Sequence, residues 1–224
     1  MSFSTIKGQD NPVSILQSYL ERNRLAGGYL FTGPEGVGKK LTAKILAKTL
    51  NCQEGGLDSC DRCPSCLKIE KDQHPDVHLI ESDGQEIKIE SIRQLQREIS
   101  FRPYEGKKKV FIIDKAHTLN PESSNALLKI LEEPPKDSVI ILVTDKPNLL
   151  FKTIISRCKA IKFPALKRSE LKGVLKLEHG FSDEMAHFLA YYSEGRIGYA
   201  LRLKDSGILC QKNAVIDIFA LAPR

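Results

Sequence analysis

Two groups of residues in this 224-residue chain have types and spacings that could do chemistry. Gly33-Pro34-Glu35-Gly36-Val37-Gly38-Lys39 fills the first seven places of the eight-residue phosphate-binding loop. In such a loop the glycines let backbone amides turn around phosphate oxygens, and the lysine reaches the outer phosphates. At the eighth place, where a Ser or Thr hydroxyl meets Mg²⁺, the chain has Lys40, whose ammonium has no lone pair to give. Thr42 is no substitute, because two helical residues turn a side chain by roughly 200°. Binding of ATP with Mg²⁺ is therefore expected to be weakened. The second group is Cys52, Cys60, Cys63 and Cys66, a C-x7-C-x2-C-x2-C pattern whose four thiolates can close a tetrahedral shell. Zinc in a structural role is the expectation, since no position is left open for catalysis; a four-cysteine iron–sulfur cluster is the alternative. Cys158 and Cys210 lack local partners and read as small hydrophobes. His74 and His78 flank the cluster and read as ordinary surface or strand residues.

These groups need elements to hold them. An amphipathic helix over Asp10 to Arg24 is followed by a strand at Tyr29 to Thr32, the glycine loop, and a helix over Lys39 to Leu50. Further strands are expected at Val77 to Glu81, Lys109 to Ile113, Val139 to Val143 and Ala160 to Phe163, with helices at Ile87 to Ser100 and Pro121 to Glu132. That alternation predicts an α/β fold with a parallel sheet in three layers. Asp114 would then end a buried strand, where an aspartate orients a metal in phosphoryl-transfer sites. Hydrolysing members of that class follow it with Glu; here it is Lys115, which cannot accept a proton from water. Beyond Pro164 the pattern is helical throughout, at Ser169 to Leu177, Ser182 to Ser193 and Ile197 to Leu203. The expected domains are 1–163, carrying the cysteine module at 52–66, then a helical lid at 164–204. Residues 205–224 begin a further helical segment in which the chain either ends or is cut.

Composition sets outer limits. Hydrophobic residues make up 41% of the chain, enough for one core and a satellite. The net charge of +6, from 34 basic and 28 acidic residues, selects no partner class by itself. No apolar run approaches the ~18 residues of a membrane span, and the start lacks a signal-peptide stretch, so a cytoplasmic protein is expected. Lys107-Lys108-Lys109, near Arg102, reads as a solvated basic loop. Arg93 and Arg97 stand at i, i+4 on one helix face, able to meet DNA phosphates without reading bases.

Three strings carry a family resemblance over nearly the whole chain: Gly8-Gln9, Ser124-Asn125-Ala126-Leu127-Leu128-Lys129-Ile130-Leu131-Glu132-Glu133-Pro134-Pro135, and Ser156-Arg157-Cys158. With the loop and Asp114, they resemble the AAA+ subunits of the bacterial clamp loader within DNA polymerase III. The resemblance implies an AAA+ P-loop NTPase sheet with an embedded zinc module and a helical lid. It places Gly8 and Gln9 beside an adenine, Gly33, Gly36, Gly38 and Lys39 around phosphates, and Thr144 or Asp145 at a sensor position. It makes Arg157 a finger offered to a neighbouring subunit's ATP; an arginine paired with a carboxylate of its own chain is the plainer alternative. Lys40, Lys115 and Gly198 stand where motor subunits keep a hydroxyl, a Glu and a lid Arg, and Arg196, two residues before Gly198, falls on another helix face. Those departures resemble the non-hydrolysing delta-prime branch, part of a DNA-directed DNA polymerase assembly rather than an efficient enzyme alone. Implied partners are gamma/tau and delta subunits, the sliding clamp and primed DNA, with no membrane. An ATP-hydrolysing gamma/tau-type motor and a zinc nucleic-acid-binding module are the competing readings.

Overall fold

The computed structural model describes residues 1–82, 84 and 86–205. Cys210 and the segment expected after Asp205 lie outside the described residues. Five strands form one parallel sheet: β1 (Gly28–Thr32), β2 (Val77–Ile80), β3 (Lys109–Ile113), β4 (Ser138–Thr144) and β5 (Lys159–Lys162), in the order β2-β3-β4-β1-β5. Runs such as Val110 to Ile113 and Val139 to Val143 are buried on both faces, which is why they are continuous in apolar residues rather than alternating. The helices of this part of the chain are α1 (Asp10–Glu21), α2 (Lys39–Asn51), α3 (Pro64–Glu70), α4 (Ile89–Ile99), α5 (Pro121–Glu132) and α6 (Lys152–Ile155), with α3 packed on α2. On one side Ile92, Leu95 and Ile99 of α4 and Leu127 and Leu131 of α5 pack with Phe111, Ile113 and Ile140 into a single core.

Helix ends follow local chemistry. α5 begins where Asn120 Oδ1 accepts from Ser123 N at 2.8 Å and Pro121 takes the first turn, and it spans the expected residues. α1 stops at Glu21, short of Arg24, because Asn23 turns left-handed (φ 48°) and Arg24 N bonds back to Tyr19 O. Ile87 is not helical; it forms a parallel bridge with Leu119 ahead of α4. The short helix α3 begins inside the cysteine module, runs past its last cysteine, and has no periodic pattern to announce it. Its cap is unusual: the Cys63 side chain accepts from Cys66 N.

The chain divides into two compact units, Met1–Gly33 with Gly38–Phe163, and Pro34–Val37 with the chain from Pro164 onward. The second unit holds α7 (Arg168–His179), α8 (Asp183–Tyr192) and α9 (Ile197–Asp205) around Leu171, Leu175, Leu189 and Ala200. Gly180 ends α7 in a left-handed turn and Ser182 caps α8 through Met185 N. Among the described residues no helix is long and apolar enough to cross a membrane.

The lysine run before β3 is more structural than a solvated loop. Asp76, fully buried, accepts from the backbone amides of Tyr104, Glu105 and Gly106 at 2.7–2.8 Å, and Asn51 Oδ1 accepts from those of Lys107 and Lys108. Lys107 Nζ then reaches Cys52 O and Lys109 Nζ reaches Glu98 O. Burial alone would raise the Asp76 pKa, but the three amides outweigh it and hold the carboxyl below its ordinary value. Asp76→Asn puts an amide donor against those N–H groups and should cost about 2–4 kcal/mol, read as a lower urea midpoint with unchanged slope. The stability that Asp76 supplies is present above the ordinary carboxyl pKa and disappears as pH falls through the lower folded value.

Candidate functional site

Parallel strands deliver their carboxyl ends to one edge, and open sheets bind ligands there. Thr32 of β1 lies in register with Thr144 of β4, and Ile113 of β3 with Leu142, so Gly33, Asp114 and Thr144 share that edge. Gly33 has φ 142°, and a Cβ there would overlap the carbonyl oxygen of Phe163. Gly38 (φ 98°) caps α2, whose amide end is the natural seat of an anion. Lys39, 6% exposed, turns its Nζ onto Gly33 O at 2.6 Å. Thr42 is buried and donates its hydroxyl to Gly38 O at 2.9 Å, so it is committed to the helix. Lys40 Nζ lies 2.6 Å from Glu81 Oε1 and 3.7 Å from Asp114 Oδ2. Burial lowers the Lys40 pKa, but the hydrogen bond and charge of Glu81, with Asp114 behind it, outweigh that and raise it. Lys115 is exposed in a left-handed conformation (φ 49°). A magnesium ion does not fit these residues: the hydroxyl that would hold it is absent and an ammonium stands against the carboxylate.

Thr144, 1% exposed, sits 3.1 Å from His117 Nδ1 and accepts from Lys146 N; the same imidazole nitrogen is 3.3 Å from Asp145 Oδ1. Burial lowers the His117 pKa despite the pull of Asp145, which favours the neutral ring. Both sensor candidates thus meet one histidine that sequence reading passed over; its only signal was a place three residues after Asp114. Glu81 was missed for the same reason, being distant in sequence from Lys40. Gly8 (φ 66°) and buried Gln9 stand at the start of α1.

Within the second unit, Gly198 N donates to Gly36 O at 2.8 Å, and a Cβ on Gly198 would come within 3.1 Å of that oxygen. A longer side chain is therefore disfavoured at Gly198. Arg202 pairs with Glu35 at 2.8 Å, while Arg196 bonds Ser193 O and lies over the Tyr199 ring.

The four sulfurs of Cys52, Cys60, Cys63 and Cys66 all lie within 4.8 Å of one another, with three of the residues buried. A tetrahedral ion with ~2.3 Å bonds spaces its sulfurs about 3.8 Å apart, so the cluster could hold zinc. Backbone amides of Cys63 and Cys66 donate to Cys60 Sγ and Cys63 Sγ. Cys52 caps the far end of α2 from the glycine loop. The module is clipped to the body by Lys48, whose buried ammonium bonds Asp61 and Glu70. His74 is buried, not on the surface, between Ser65 Oγ and Asp76 N; His78 stacks on Phe111. Cys158 packs against the core, where burial pushes its thiol up to about 12.

Arg157 follows α6 at the surface. Its Nη2 is 2.7 Å from Glu132 Oε1 and its Nη1 donates to Thr153 O at 3.0 Å. Arg93 and Arg97 are exposed on α4 and form no ion pair among the described residues.

A family model described as "DNA polymerase III, delta subunit" matches residues 8–167. The chain belongs to this DNA polymerase III delta family. It is 41% identical over 182 residues to DNA polymerase III subunit delta′ of Bacillus subtilis, covering 81% of this chain and 55% of that one. It is 38% identical over 214 residues to subunit tau of Escherichia coli, covering 92% of this chain and 33% of tau. The chain thus spans about half and a third of these relatives. Among solved structures it is similar to the RuvB Holliday junction branch migration motor of Thermotoga maritima (TM-score 0.59, 19% identity, 91% of this chain and 64% of that). A gamma subunit-related protein of the same organism gives TM-score 0.51 at 22% identity, over 82% and 58% of the two chains. These likenesses give the fold, an AAA+-like sheet.

In this member of the delta family the Glu132–Arg157 pair is half exposed, so it contributes little to stability. Glu132→Ala should free the guanidinium while changing the unfolding free energy by less than ~1 kcal/mol, as measured by urea denaturation.

Proposed function

We propose that this chain is a delta-prime-type subunit of a DNA polymerase III clamp loader, a scaffold that hydrolyses ATP weakly or not at all and lends Arg157 to a neighbouring subunit. The observation that carries the reading is the pair of lysines at Asp114: Lys40 in place of the metal-binding hydroxyl, and Lys115 in place of the carboxylate that polarises water. With both gone, the site keeps the frame of a nucleotide pocket without the groups that drive hydrolysis. Residues 1–163 would form the AAA+ domain and 164–204 its lid. Gly8, Gln9, Gly33, Gly36, Gly38, Lys39, Asp114 and Thr144 would line the nucleotide, and the chain would act in the cytoplasm with gamma/tau and delta subunits and the sliding clamp. Arg93 and Arg97 would touch primed DNA through its phosphates.

Arg157 would stabilise charge developing on the γ-phosphoryl group of the adjacent subunit, a role worth ~10³-fold or more for fingers supplied in trans. In the structure the guanidinium pairs with Glu132 of its own chain, as the plainer alternative expects, so the donor role requires that half-exposed pair to open. Lysine would replace it poorly, since the planar fork meets two oxygens at once.

One observation favours a second reading. The tau relative aligns over more of this chain than the delta′ relative, which keeps a gamma/tau-type motor in view. Steady-state ATPase of the purified chain separates the two: turnover near ~1 s⁻¹ or faster belongs to the motor.

Zinc would close the cysteine module and contribute folding free energy there, with Cys52, Cys60, Cys63 and Cys66 as ligands. Metal analysis of protein purified without added zinc should find one zinc per chain; no metal, or iron with a visible charge-transfer band, overturns the assignment. For the arginine, a reconstituted clamp loader carrying Arg157→Ala should assemble normally while its DNA- and clamp-stimulated ATPase falls. Unchanged ATPase in an intact assembly would refute the donor role.

A further inference from the structure

Besides its link to Lys48, the cysteine module grips the segment that leads into α1. Both carboxylate oxygens of Asp58 accept from Phe3 N, at 2.9 and 3.1 Å, and Ser59 Oγ stands 3.2 Å from Met1 O. Lys48 Nζ donates to the same carbonyl at 3.1 Å. These bonds go to main-chain groups, and next to them Phe3 and Ile6 are buried, at 3% and 7% exposed. A segment this short is ordered only where something ties it down. Asp58 is itself held, since one of its oxygens accepts from Ser59 N at 2.7 Å, and Ser59 Oγ also lies 3.2 Å from Asp61, the partner of Lys48. Directly after the tied residues come Gly8, left-handed at φ 66°, and Gln9, the cap of α1.

The module has little of its own to keep Asp58 and Ser59 in place. Residues 53–62 contain no helix or strand, and what packs at the centre is the cysteines themselves, Cys52, Cys63 and Cys66 with Cys60 against them. A metal on the four sulfurs would supply the order that apolar side chains do not. We propose that the cysteine module is a metal-set clasp: with its metal bound, Asp58 and Ser59 hold residues 1–7 in place, and with them the Gly8 turn that opens α1. Loss of the metal lets residues 53–62 relax, which releases Phe3 N and Met1 O and uncovers Phe3 and Ile6. The sheet, whose strands pair without the module, stays folded. Metal control rests on reading the four cysteines as a zinc site, whereas the grip of Asp58 is independent of that reading.

Hydrogen–deuterium exchange of the full chain, read on peptides covering residues 1–9, 52–70 and β3, tests the clasp alongside metal analysis. Stripping the metal with the chelator TPEN should speed exchange of residues 1–7 about tenfold or more, together with 52–70, and leave β3 unchanged. Asp58→Ala, with metal content and circular dichroism matching the unmodified chain, should free residues 1–7 alone. Asp58→Asn keeps one accepting oxygen and should fall between the two, and it decides the matter if the alanine variant fails to fold. Residues 1–7 that stay protected in both folded variants overturn the clasp. Protection of residues 1–7 that survives stripping, while 52–70 loosens, overturns its control by metal. A chain that holds no metal, yet frees residues 1–7 in Asp58→Ala, keeps the clasp and overturns the zinc reading instead.

Discussion

Parallel pairing of β1 between β4 and β5 is the constraint on which the rest of the chemistry depends. A strand buried on both faces has to satisfy its backbone through neighbours, and when every neighbour runs the same way, all the carboxyl ends emerge together. The glycine loop, Asp114 and the Thr144–His117–Asp145 network are consequences of that one edge. The loop, Asp114 and the Thr144–Asp145 pair are far apart in sequence; only His117 stands close to Asp114. Moving β3 by one residue would turn Asp114 from the edge toward the helical layer and break the pair with Lys40.

α2 joins two chemistries that otherwise have nothing in common. Thirteen residues at 1.5 Å each give a rod of about 20 Å, with Gly38 at one end and Cys52 at the other. Ten of its residues are buried, which makes it the central helix of its layer rather than a surface connector. The cysteine module is anchored to this rod twice, at Cys52 and through Lys48, and Asn51 at its last turn also holds the amides of Lys107 and Lys108. Disorder in the module would therefore act on the loop before β3 sooner than on the glycine loop at the other end of α2.

Legibility in the sequence followed the range of the interaction. β3 and α5 were readable to the residue, because a continuous apolar run and an Asn-Pro start are local signals. The remaining strands were placed within a residue at either end, and the cysteine spacing gave the cluster. What stayed hidden depends on residues brought together by folding. Glu81 against Lys40, Glu132 against Arg157 and Asp76 beneath residues 104–106 each pair groups more than two dozen positions apart, and charge counts carry no address for a partner. The lysine run misled for the same reason: its composition suggested solvent, while two of its amines were bound for carbonyl oxygens at the end of α2 and on α4.

Gly33 shows how packing alone can fix a residue of a loop. Its positive φ and the carbonyl of Phe163 pressed against it exclude any side chain, whatever the loop does or does not bind. Lys40 and Lys115 meet no such steric wall, being half-buried and exposed, although Lys115 itself has a positive φ. Substitution at those two positions therefore disturbs the packing less, while Gly33 preserves the outline of the loop. In a lineage released from the need to hydrolyse, the glycines would be the last part of the site to decay, so their presence records an ancestry of architecture more faithfully than a present activity.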